Sequence, residues 1–338
     1  MAVQTTRRAI LAALTTAPLL GSRPARADAD TIRIAIQPGL TYLVMNVMQH
    51  QDLIAKHARA LGLPNIKAEW LRLAAGNNVN DAVIAGAVDI GATGIPPFLL
   101  LWAKTRGSVD VKAIAPFNSM PLVLVTRSPV VQRIEDLGPN DRIALPGVGS
   151  SSQAIMLQMA AARAFGDANF KKFDALTITR GHPDAMAALL SPASEINAHF
   201  SAAPYLQQEL AAPGVHKILT STDVYGGPGT IGVTFTTKKF RDANPKLLAA
   251  FIAATDEAME IIRTNHRAAG EAYVAVSGDK LPLDQVIGYI ADPQTLFEIT
   301  PRGTMKVAEF MYRVGSIKVM PEDWKALFVP EMHARAGS

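Results

Sequence analysis

The stretch of the sequence with the clearest chemical potential is Gly147–Ser152, a glycine-rich turn that ends in three serines. It follows an apolar run that predicts a strand, and a helical pattern begins where it ends. The first backbone N–H groups of a helix lack hydrogen-bond partners, so such a turn can bind an anion or another polar acceptor. The alternative is an ordinary N-cap, for which serine is a preferred residue. The turn lacks the lysine of a P-loop, the third glycine of a dinucleotide-binding loop and the G-x-S-x-G pattern of a serine hydrolase.

Further polar candidates stand where predicted strands end, and the ligands of open α/β sheets bind beyond those ends. Each candidate also has a structural alternative, such as turn formation for Gln37 and Tyr42 or a buried structural role for His199. Asn118 belongs to a stretch expected to add an apolar wall, and Tyr225 is a candidate cap over the cleft. The candidate ligand-binding residues are Gln37, Tyr42, Thr93, Gly94, Asn118, Ser150, Ser151, Ser152, His199 and Tyr225.

The composition argues against several kinds of catalytic and metal site. The sequence contains no cysteine, which excludes disulfides, thiolate catalysis and cysteine-ligated zinc or iron–sulfur clusters. His50 and His57, seven residues apart on a predicted helix, are expected on a surface face. None of the candidate loops carries a carboxylate that could take part in acid–base catalysis. We therefore expect no catalytic residue, no metal site and no cofactor.

The N-terminus has the pattern of an export signal over residues 1–27. Arg7 and Arg8 precede a short apolar stretch, and Ala25–Ala27 forms a small-x-small cleavage site. The arginine pair suggests twin-arginine export, although a Sec signal has similar features. The apolar stretch is shorter than the roughly 20 residues that a membrane-spanning helix needs, and the missing cysteine excludes a lipid anchor. We expect a periplasmic protein.

The export signal also explains the basic character of the whole chain. The sequence has 33 basic and 29 acidic residues, and four of the arginines lie within residues 1–27. The remaining part is therefore formally neutral, and it shows no basic patch interleaved with aromatic residues. The sequence predicts no nucleic-acid partner.

Short apolar strands alternate with amphipathic helices along the rest of the chain. This alternation predicts parallel sheets with helices on both faces. One helix is expected from Thr41 to Leu61, and the chain after Asn244 is expected to be mostly helical. Extended segments near 121–127 and 230–237 interrupt the alternation.

The two interruptions divide the chain into two α/β lobes joined by two crossing segments. We expect residues 28–120 plus 232–338 to form lobe 1 and residues 121–231 to form lobe 2, which is inserted into lobe 1. The strand ends of two facing lobes can meet in one cleft, so we expect the ligand between them.

In order and spacing, several segments resemble the periplasmic solute-binding proteins of ABC importers in the nitrate/sulfonate/taurine group, which are related to the thiamine-pyrimidine binding proteins. The matching segments are IRIAIQPG, NNVNDAVIAGAVDIGATGIPP, PLVLVTRSPVVQRIEDLGPNDRIALPGVGSSSQ, PDAMAALLSPASEINAHFSAAPY and IGVTFTTKKFRDANPKLLAAFIAATDEAM. The resemblance covers nearly all of the chain after the export signal. It implies a periplasmic binding protein type II-like fold whose two lobes close over a solute.

The resemblance also implies the function: capture of a small organic anion, sulfonate- or carboxylate-like, and delivery to an inner-membrane ABC permease by a monomer. Asn197 stands where the family often shows an aspartate, which argues against an amine-bearing solute such as taurine. Two alternatives stay open. One is a periplasmic dehydratase- or lyase-type enzyme on the same two-lobed fold, and the other is a sensory protein that docks to a receptor.

Overall fold

Two five-stranded sheets organise residues 30–338, the part of the chain that this computed structural model describes. The predicted signal peptide, residues 1–27, lies outside the described residues. The strands are β1 (Thr31–Ile36), β2 (Lys67–Arg72), β3 (Ile90–Gly94), β4 (Lys112–Asn118), β5 (Val123–Thr126), β6 (Ile143–Leu145), β7 (Thr177–Thr179), β8 (Ala198–Ser201), β9 (His216–Thr220) and β10 (Gly232–Thr236).

Helices cover both sheets, as expected for short apolar strands that are buried on both faces. The helices are α1 (Leu43–His50), α2 (Leu53–Ala60), α3 (Gly76–Ile84), α4 (Ile95–Thr105), α5 (Ser152–Phe165), α6 (His182–Leu190), α7 (Tyr205–Leu210), α8 (Ser221–Tyr225), α9 (Lys238–Ala243), α10 (Pro245–Thr264), α11 (His266–Ser277), α12 (Leu283–Ile290) and α13 (Thr304–Arg313). The last four of these give the mostly helical C-terminal part that the sequence predicts.

The two sheets have equivalent strand orders. The first sheet runs β2-β1-β3-β10-β4 and the second runs β7-β6-β8-β5-β9. The chain passes between the sheets twice, from β4 to β5 and, through α8, from β9 to β10. We propose lobe boundaries at 120/121 and 231/232, which fall in these two connections, and call the two parts lobe 1 (30–120 and 232–338 of the described chain) and lobe 2 (121–231).

The prediction of purely parallel sheets is wrong at one strand in each sheet. β10 is antiparallel to β3 and β4, and β5 is antiparallel to β8 and β9. Each is the first strand after a crossing between the lobes, so no crossover helix packed on its own sheet precedes it. Parallel neighbours need such a crossover connection, whereas a strand that enters from the other lobe can run antiparallel to its neighbours.

The predicted helix from Thr41 to Leu61 is divided in the structure. α1 ends at His50, and α2 begins after Asp52, whose backbone is left-handed with φ 50°. This break redirects the chain, so α1 packs on α10 and α11 while α2 packs on α10. Asparagine and aspartate tolerate this conformation better than most residues, which is why the sequence pattern shows no proline or glycine there.

Candidate functional site

A cavity of about 190 Å³ lies between the two lobes, where the carboxyl ends of several strands meet. Its walls combine polar groups with an apolar lining, as is usual for small-molecule sites. Lobe 1 contributes Gln37, Tyr42, Gly76, Thr93, Gly94, Phe117 and Asn118, and lobe 2 contributes Ser151, Ser152, Gln153, Gly181, His182 and Asp184. No lysine or arginine lines this cavity among residues 30–338.

Helix N-termini supply positive potential at the cavity in place of cationic side chains. α3 begins at Gly76, α5 begins at Ser152 and α6 begins at His182, and all three residues line the cavity. The unpaired amides of a first helical turn attract negative charge and hydrogen-bond acceptors. The cavity therefore suits a solute that carries an oxyanion.

The first turn of α4, the helix that follows β3, offers few amide donors to the cavity. The N-cap of α4 is Gly94, but the Ile95 amide already donates to the carbonyl of Ile231 at 3.0 Å. Pro96 and Pro97, the next two residues, have no N–H group. The first turn of α4 thus adds its dipole and an apolar surface but few amide donors.

The structure shows the capping role of the glycine-serine turn, while its solute-binding role stays a prediction. Ser151 is the N-cap of α5, and its hydroxyl accepts from the Ala154 amide at 3.2 Å. Ser152 is buried and lines the cavity. With Ser151 capping the helix, the Ser152 and Gln153 amides at the cavity wall remain available to a solute.

Thr93 is the most suggestive side chain of the lobe 1 wall. It is fully buried at the end of β3, and its hydroxyl oxygen, Oγ1, has no hydrogen-bond partner. A buried hydroxyl without a partner costs about 1–3 kcal/mol, so such groups are rare unless a ligand satisfies them. Because Thr93 lines the cavity, a bound solute can supply the missing hydrogen bond.

Gln37, Tyr42 and Asn118 line the cavity but already have partners. The Gln37 amide nitrogen donates to the Tyr42 hydroxyl, and the Tyr42 ring packs on Phe117 with centroids 5.3 Å apart. Asn118 donates to the Thr41 carbonyl at 2.8 Å and accepts from the Met120 amide at 3.2 Å. These residues shape the wall, and Asn118 also holds the start of the first crossing in place.

Several contacts join the lobes beside the cavity, and two of them involve the glycine-serine turn. A Cβ atom placed on Gly94 would lie 2.0 Å from the Ser152 hydroxyl, so glycine permits this close approach. Asn77 at the start of α3 donates to the Ser150 hydroxyl at 2.9 Å. Ser150 therefore lies at the junction of the lobes and not among the cavity-lining residues.

His199 and Tyr225 are the other predicted contacts that do not line the cavity. His199 is fully buried in β8, behind His182. Tyr225 is buried at the end of α8, and burial raises the pKa of its hydroxyl. The predicted contact of these two side chains with a solute stays a prediction that the cavity wall does not support.

Sequence reasoning missed Gln153, His182 and Asp184, which line the cavity in lobe 2. The signal that could have found two of them is the R-G-H-P-D segment, a glycine between a strand and a helix, as in the glycine-serine turn. Asp184 is exposed and places one carboxylate at the wall, although none of the loops singled out from the sequence carries one. An ammonium group on the solute therefore has a counter-charge available.

His182 begins a hydrogen-bonded chain that runs from the cavity into lobe 2. Its Nδ1 atom lies 2.8 Å from Nε2 of His199, and Nδ1 of His199 lies 2.5 Å from Oε1 of Glu209. At the cavity end, the Gln153 amide nitrogen lies 3.2 Å from Nε2 of His182. Tyr205 stacks on the His182 ring, with centroids 5.8 Å apart.

Burial disfavours the charged form of every titratable member of this chain. It raises the pKa of Glu209 to about 8 and lowers the pKa of His199 to about 3. The pKa of His182 is lowered well below its usual value, first by burial and then by His199. The three side chains therefore favour a neutral carboxylic acid and two neutral imidazoles near pH 7.

Other site types find no support in residues 30–338. That part of the chain holds no group of three or more histidine, aspartate or glutamate side chains placed to bind a metal ion. Nor does it include a helix that combines the length and apolar character required to cross a bilayer.

Solved structures of solute-binding proteins share the two-lobed fold. The alkanesulfonate-binding protein SsuA from Xanthomonas axonopodis pv. citri, bound to MOPS, has a TM-score of 0.68 at 17% identity, over 90% of this chain and 98% of that chain. The periplasmic nitrate-binding protein NrtA from Synechocystis PCC 6803 has a TM-score of 0.66 at 14% identity, over 91% of this chain and 86% of that chain. The predicted periplasmic binding protein type II-like fold is confirmed.

Sequence comparison points the same way. A putative aliphatic sulfonates-binding protein of Escherichia coli (strain K12) is 27% identical over 203 residues, which span 59% of this chain and 58% of that protein. The model of the NMT1-like family matches residues 26–276, well over half of the chain. These findings agree with the resemblance to nitrate- and sulfonate-type binding proteins, and this chain belongs to the NMT1-like family.

Proposed function

We propose that this protein is the solute-binding component of an ABC-type importer and captures a small organic anion, sulfonate- or carboxylate-like, in the cleft between its lobes. The observation that carries the proposal is the cavity, where three helix N-termini and the unpartnered Thr93 hydroxyl converge without a lysine or arginine in the described wall. Backbone amides and hydroxyls bind oxyanions well in a cavity that excludes water.

The proposal includes the surroundings that such a protein needs. The periplasm as location, an inner-membrane permease as partner and a monomeric state all belong to it. Binding proteins with the same fold, including the sulfonate- and nitrate-binding proteins above, support the choice of binding over catalysis. Lobe closure and release require no covalent step.

The size and lining of the cavity narrow the range of candidate solutes. A volume of about 190 Å³ is below the roughly 300–1,000 Å³ of sites for drug-sized ligands, which favours a small solute. Phe117, Leu122 and Ile231 give one part of the wall an apolar surface that a bare inorganic anion would leave unused. Asp184 keeps amino-sulfonates such as taurine among the solutes to be tested.

A thermal-shift and calorimetric panel tests the proposal. The panel contains methanesulfonate, ethanesulfonate, taurine, short carboxylates, benzenesulfonate, nitrate and pyrimidines. A true solute at 100 times its Kd should stabilise the protein by about 2.7 kcal/mol. The proposal fails if no sulfonate or carboxylate raises the melting temperature, or if the active compounds are chemically consumed, which would favour the enzyme alternative.

Replacing Thr93 by valine separates a binding role from a structural one. Because the Thr93 hydroxyl has no protein partner, we expect T93V to weaken solute binding about tenfold or more while leaving the free energy of unfolding unchanged or higher. Calorimetric titration and urea unfolding measure the two effects.

Thr234 in the neighbouring strand β10 provides the matched control. It is equally buried, donates to the Ala115 carbonyl at 3.1 Å and does not line the cavity. T234V should cost roughly 1 kcal/mol of stability and leave solute affinity unchanged. A T93V protein that loses stability but binds normally would show that Thr93 is structural.

A further inference from the structure

The chain Glu209–His199–His182 has a feature that solute binding alone does not require. Its inner end is a fully buried carboxyl group, and its outer end, His182, stands at the cavity wall beside Gln153. Each imidazole uses both ring nitrogens in the chain. A neutral imidazole has one donor and one acceptor nitrogen, so the hydrogen position on one ring fixes the hydrogen position on the next.

With Glu209 ionised and no extra proton, only one arrangement satisfies both inner bonds. The carboxylate can only accept, so Nδ1 of His199 carries a hydrogen and Nε2 of His199 accepts from Nδ1 of His182. Nε2 of His182 then has no hydrogen and accepts from the Gln153 amide. In this state, which has a net charge of −1, the outer imidazole nitrogen is an acceptor.

Adding one proton changes Nε2 of His182, the outer nitrogen of the chain, from an acceptor to a donor. If the proton is on Glu209, the acid donates to His199, His199 donates to His182 and Nε2 of His182 carries a hydrogen. If it is on either imidazole instead, Nε2 of His182 still carries a hydrogen whenever both inner bonds are kept. The Gln153 amide can rotate to present its oxygen, so the Gln153–His182 pair holds one more hydrogen for donation toward the cavity.

We propose, on the basis of the anion-binding function above, that the Glu209–His199–His182 chain couples solute capture to the uptake of one proton, with His182 as the group that presents the added hydrogen at the cavity. Glu209 and His199 act as positioning residues that need not touch the solute. An anion requires donors at the wall, so it binds the protonated chain in preference to the deprotonated one.

Few titratable side chains lie on the described elements that pack against α6, the helix of His182. They are His199 on β8 and Tyr205 and Glu209 on α7, while Gln153 of α5 contacts His182 and Asp184 lies on the same helix and is exposed. β6 also packs on α6, but Ile143–Leu145 has no titratable side chain. Burial raises the pKa of Tyr205 beyond the neutral range, so Tyr205 stays protonated.

The pKa directions indicate that the chain gains or loses its added proton within a pH range in which binding can be measured. Because burial raises the pKa of Glu209 to about 8 and lowers those of both histidines, the added proton resides on Glu209 in the solute-free protein. Below about pH 8 the Glu209–His199–His182 chain already carries the proton. Above about pH 8, solute binding must be accompanied by the uptake of one proton from the solvent. Affinity for an anion should therefore fall by up to tenfold per pH unit above about pH 8.

Calorimetric titration with ethanesulfonate between pH 6 and pH 9.5 tests the coupling. This probe stays ionised over the whole range, so any pH dependence belongs to the protein. Titrations in buffers of different ionisation enthalpy count the protons taken up, and we expect the count to rise from near zero at pH 6 toward one at pH 9.5. Binding without proton uptake, together with a flat affinity profile, would overturn the inference and leave the proposed function intact.

Glu209→Gln and His57→Gln are the diagnostic variants. A glutamine amide can donate to His199 at every pH, so E209Q should keep its affinity within about threefold from pH 6 to pH 9.5 and take up no proton. His57 pairs with Glu257 at 2.8 Å on the surface of lobe 1, so H57Q should retain the wild-type profile. An E209Q profile that matches the wild type would exclude Glu209 as the coupled group.

A measurement without solute keeps the inference testable if ethanesulfonate does not bind. In ¹⁵N spectra of the imidazoles, Nε2 of His182 should change from an acceptor-type to a donor-type nitrogen as the pH falls through about 8, and this change should be absent in E209Q. Failure of every anion in the panel would reject the proposed function. If Nε2 of His182 keeps the same type, acceptor or donor, on both sides of pH 8, the proposed proton coupling would be rejected independently of the panel.

Discussion

At the scale of single residues, the cavity-facing side chains divide into those with partners and those without. Gln37 and Asn118 are bonded within the protein, whereas the Thr93 hydroxyl is unpartnered. The sequence indicates polar residues at strand ends but cannot show which of them the fold already satisfies. His199 illustrates the limit, because its position at the end of a predicted strand suggests a solute contact while the fold bonds it to Glu209 and His182.

The buried carboxyl of Glu209 also makes stability depend on pH. Its pKa rises from 4.5 to about 8 on folding, so the folded state holds the proton more tightly than the unfolded chain does. The resulting stabilisation is fully present below about pH 4.5 and is lost as the pH rises through about 8. The lowered histidine pKa values act in the opposite direction, because their contribution is lost as the pH falls below about 6.5.

We expect Glu209→Gln to remove the alkaline loss of stability. The unfolding free energy of E209Q minus that of the wild type should increase with pH by up to about 1.4 kcal/mol per unit between pH 5 and pH 8. Urea unfolding of both proteins at four pH values measures the difference, in which the contributions of unchanged groups cancel. A difference that stays constant with pH would contradict the raised pKa.

At the scale of helices and strands, most elements follow from their sequence patterns, and the exceptions have local causes. The alternation of apolar strands and amphipathic helices predicts the layers of each lobe and the helical C-terminal part. The division between α1 and α2 depends on the backbone angle of one aspartate, Asp52, which no apolar pattern reports. The antiparallel direction of β5 and β10 depends on where the chain crosses, which is a property of both lobes together.

The helix α12 contains a glycine whose replacement should stabilise the protein. Gly288 lies in the interior of the helix, is exposed, and has open space where a Cβ atom would be. Since glycine loses more backbone freedom on folding than alanine does, we expect G288A to add about 0.5–1 kcal/mol to the free energy of unfolding. Thermal unfolding should show a higher midpoint with unchanged solute affinity; a lower midpoint would mean that α12 is not helical at this position.

At the scale of the whole molecule, binding depends on how the two lobes meet. The Asn77–Ser150 hydrogen bond and the Gly94–Ser152 approach join them beside the cavity. On the side of α13, Phe170 packs edge-on against Phe310, with ring centroids 6.3 Å apart, and Asp167 lies 2.7 Å from Arg313. The sequence predicts two facing lobes. It does not predict these contacts, because they depend on how the two lobes are positioned relative to each other.

Loss of the Asn77 side chain should shorten the lifetime of the bound state. One net hydrogen bond contributes about 0.5–1.5 kcal/mol, so we expect N77A to raise the solute dissociation rate roughly two- to tenfold with little change in the association rate. Stopped-flow dissociation measures this effect.

Asn169→Ala is the matched control for this prediction. Asn169 is also exposed and donates to a carbonyl, that of Phe165 at 2.8 Å, but both residues belong to lobe 2. N169A should leave the dissociation rate unchanged. Equal rates for N77A and the wild type would show that the bond between Asn77 and Ser150 does not hold the lobes closed.

The position of β10 has a consequence for how the protein is made. β10 lies between β3 and β4 in the first sheet, yet the ribosome synthesises it only after all of lobe 2. A nascent chain that ends before Gly232 holds β3 and β4 without the strand that joins them. Lobe 2 is therefore complete in sequence before lobe 1 is, so it can form its own sheet while the first sheet still lacks its fourth strand in the order of the sheet.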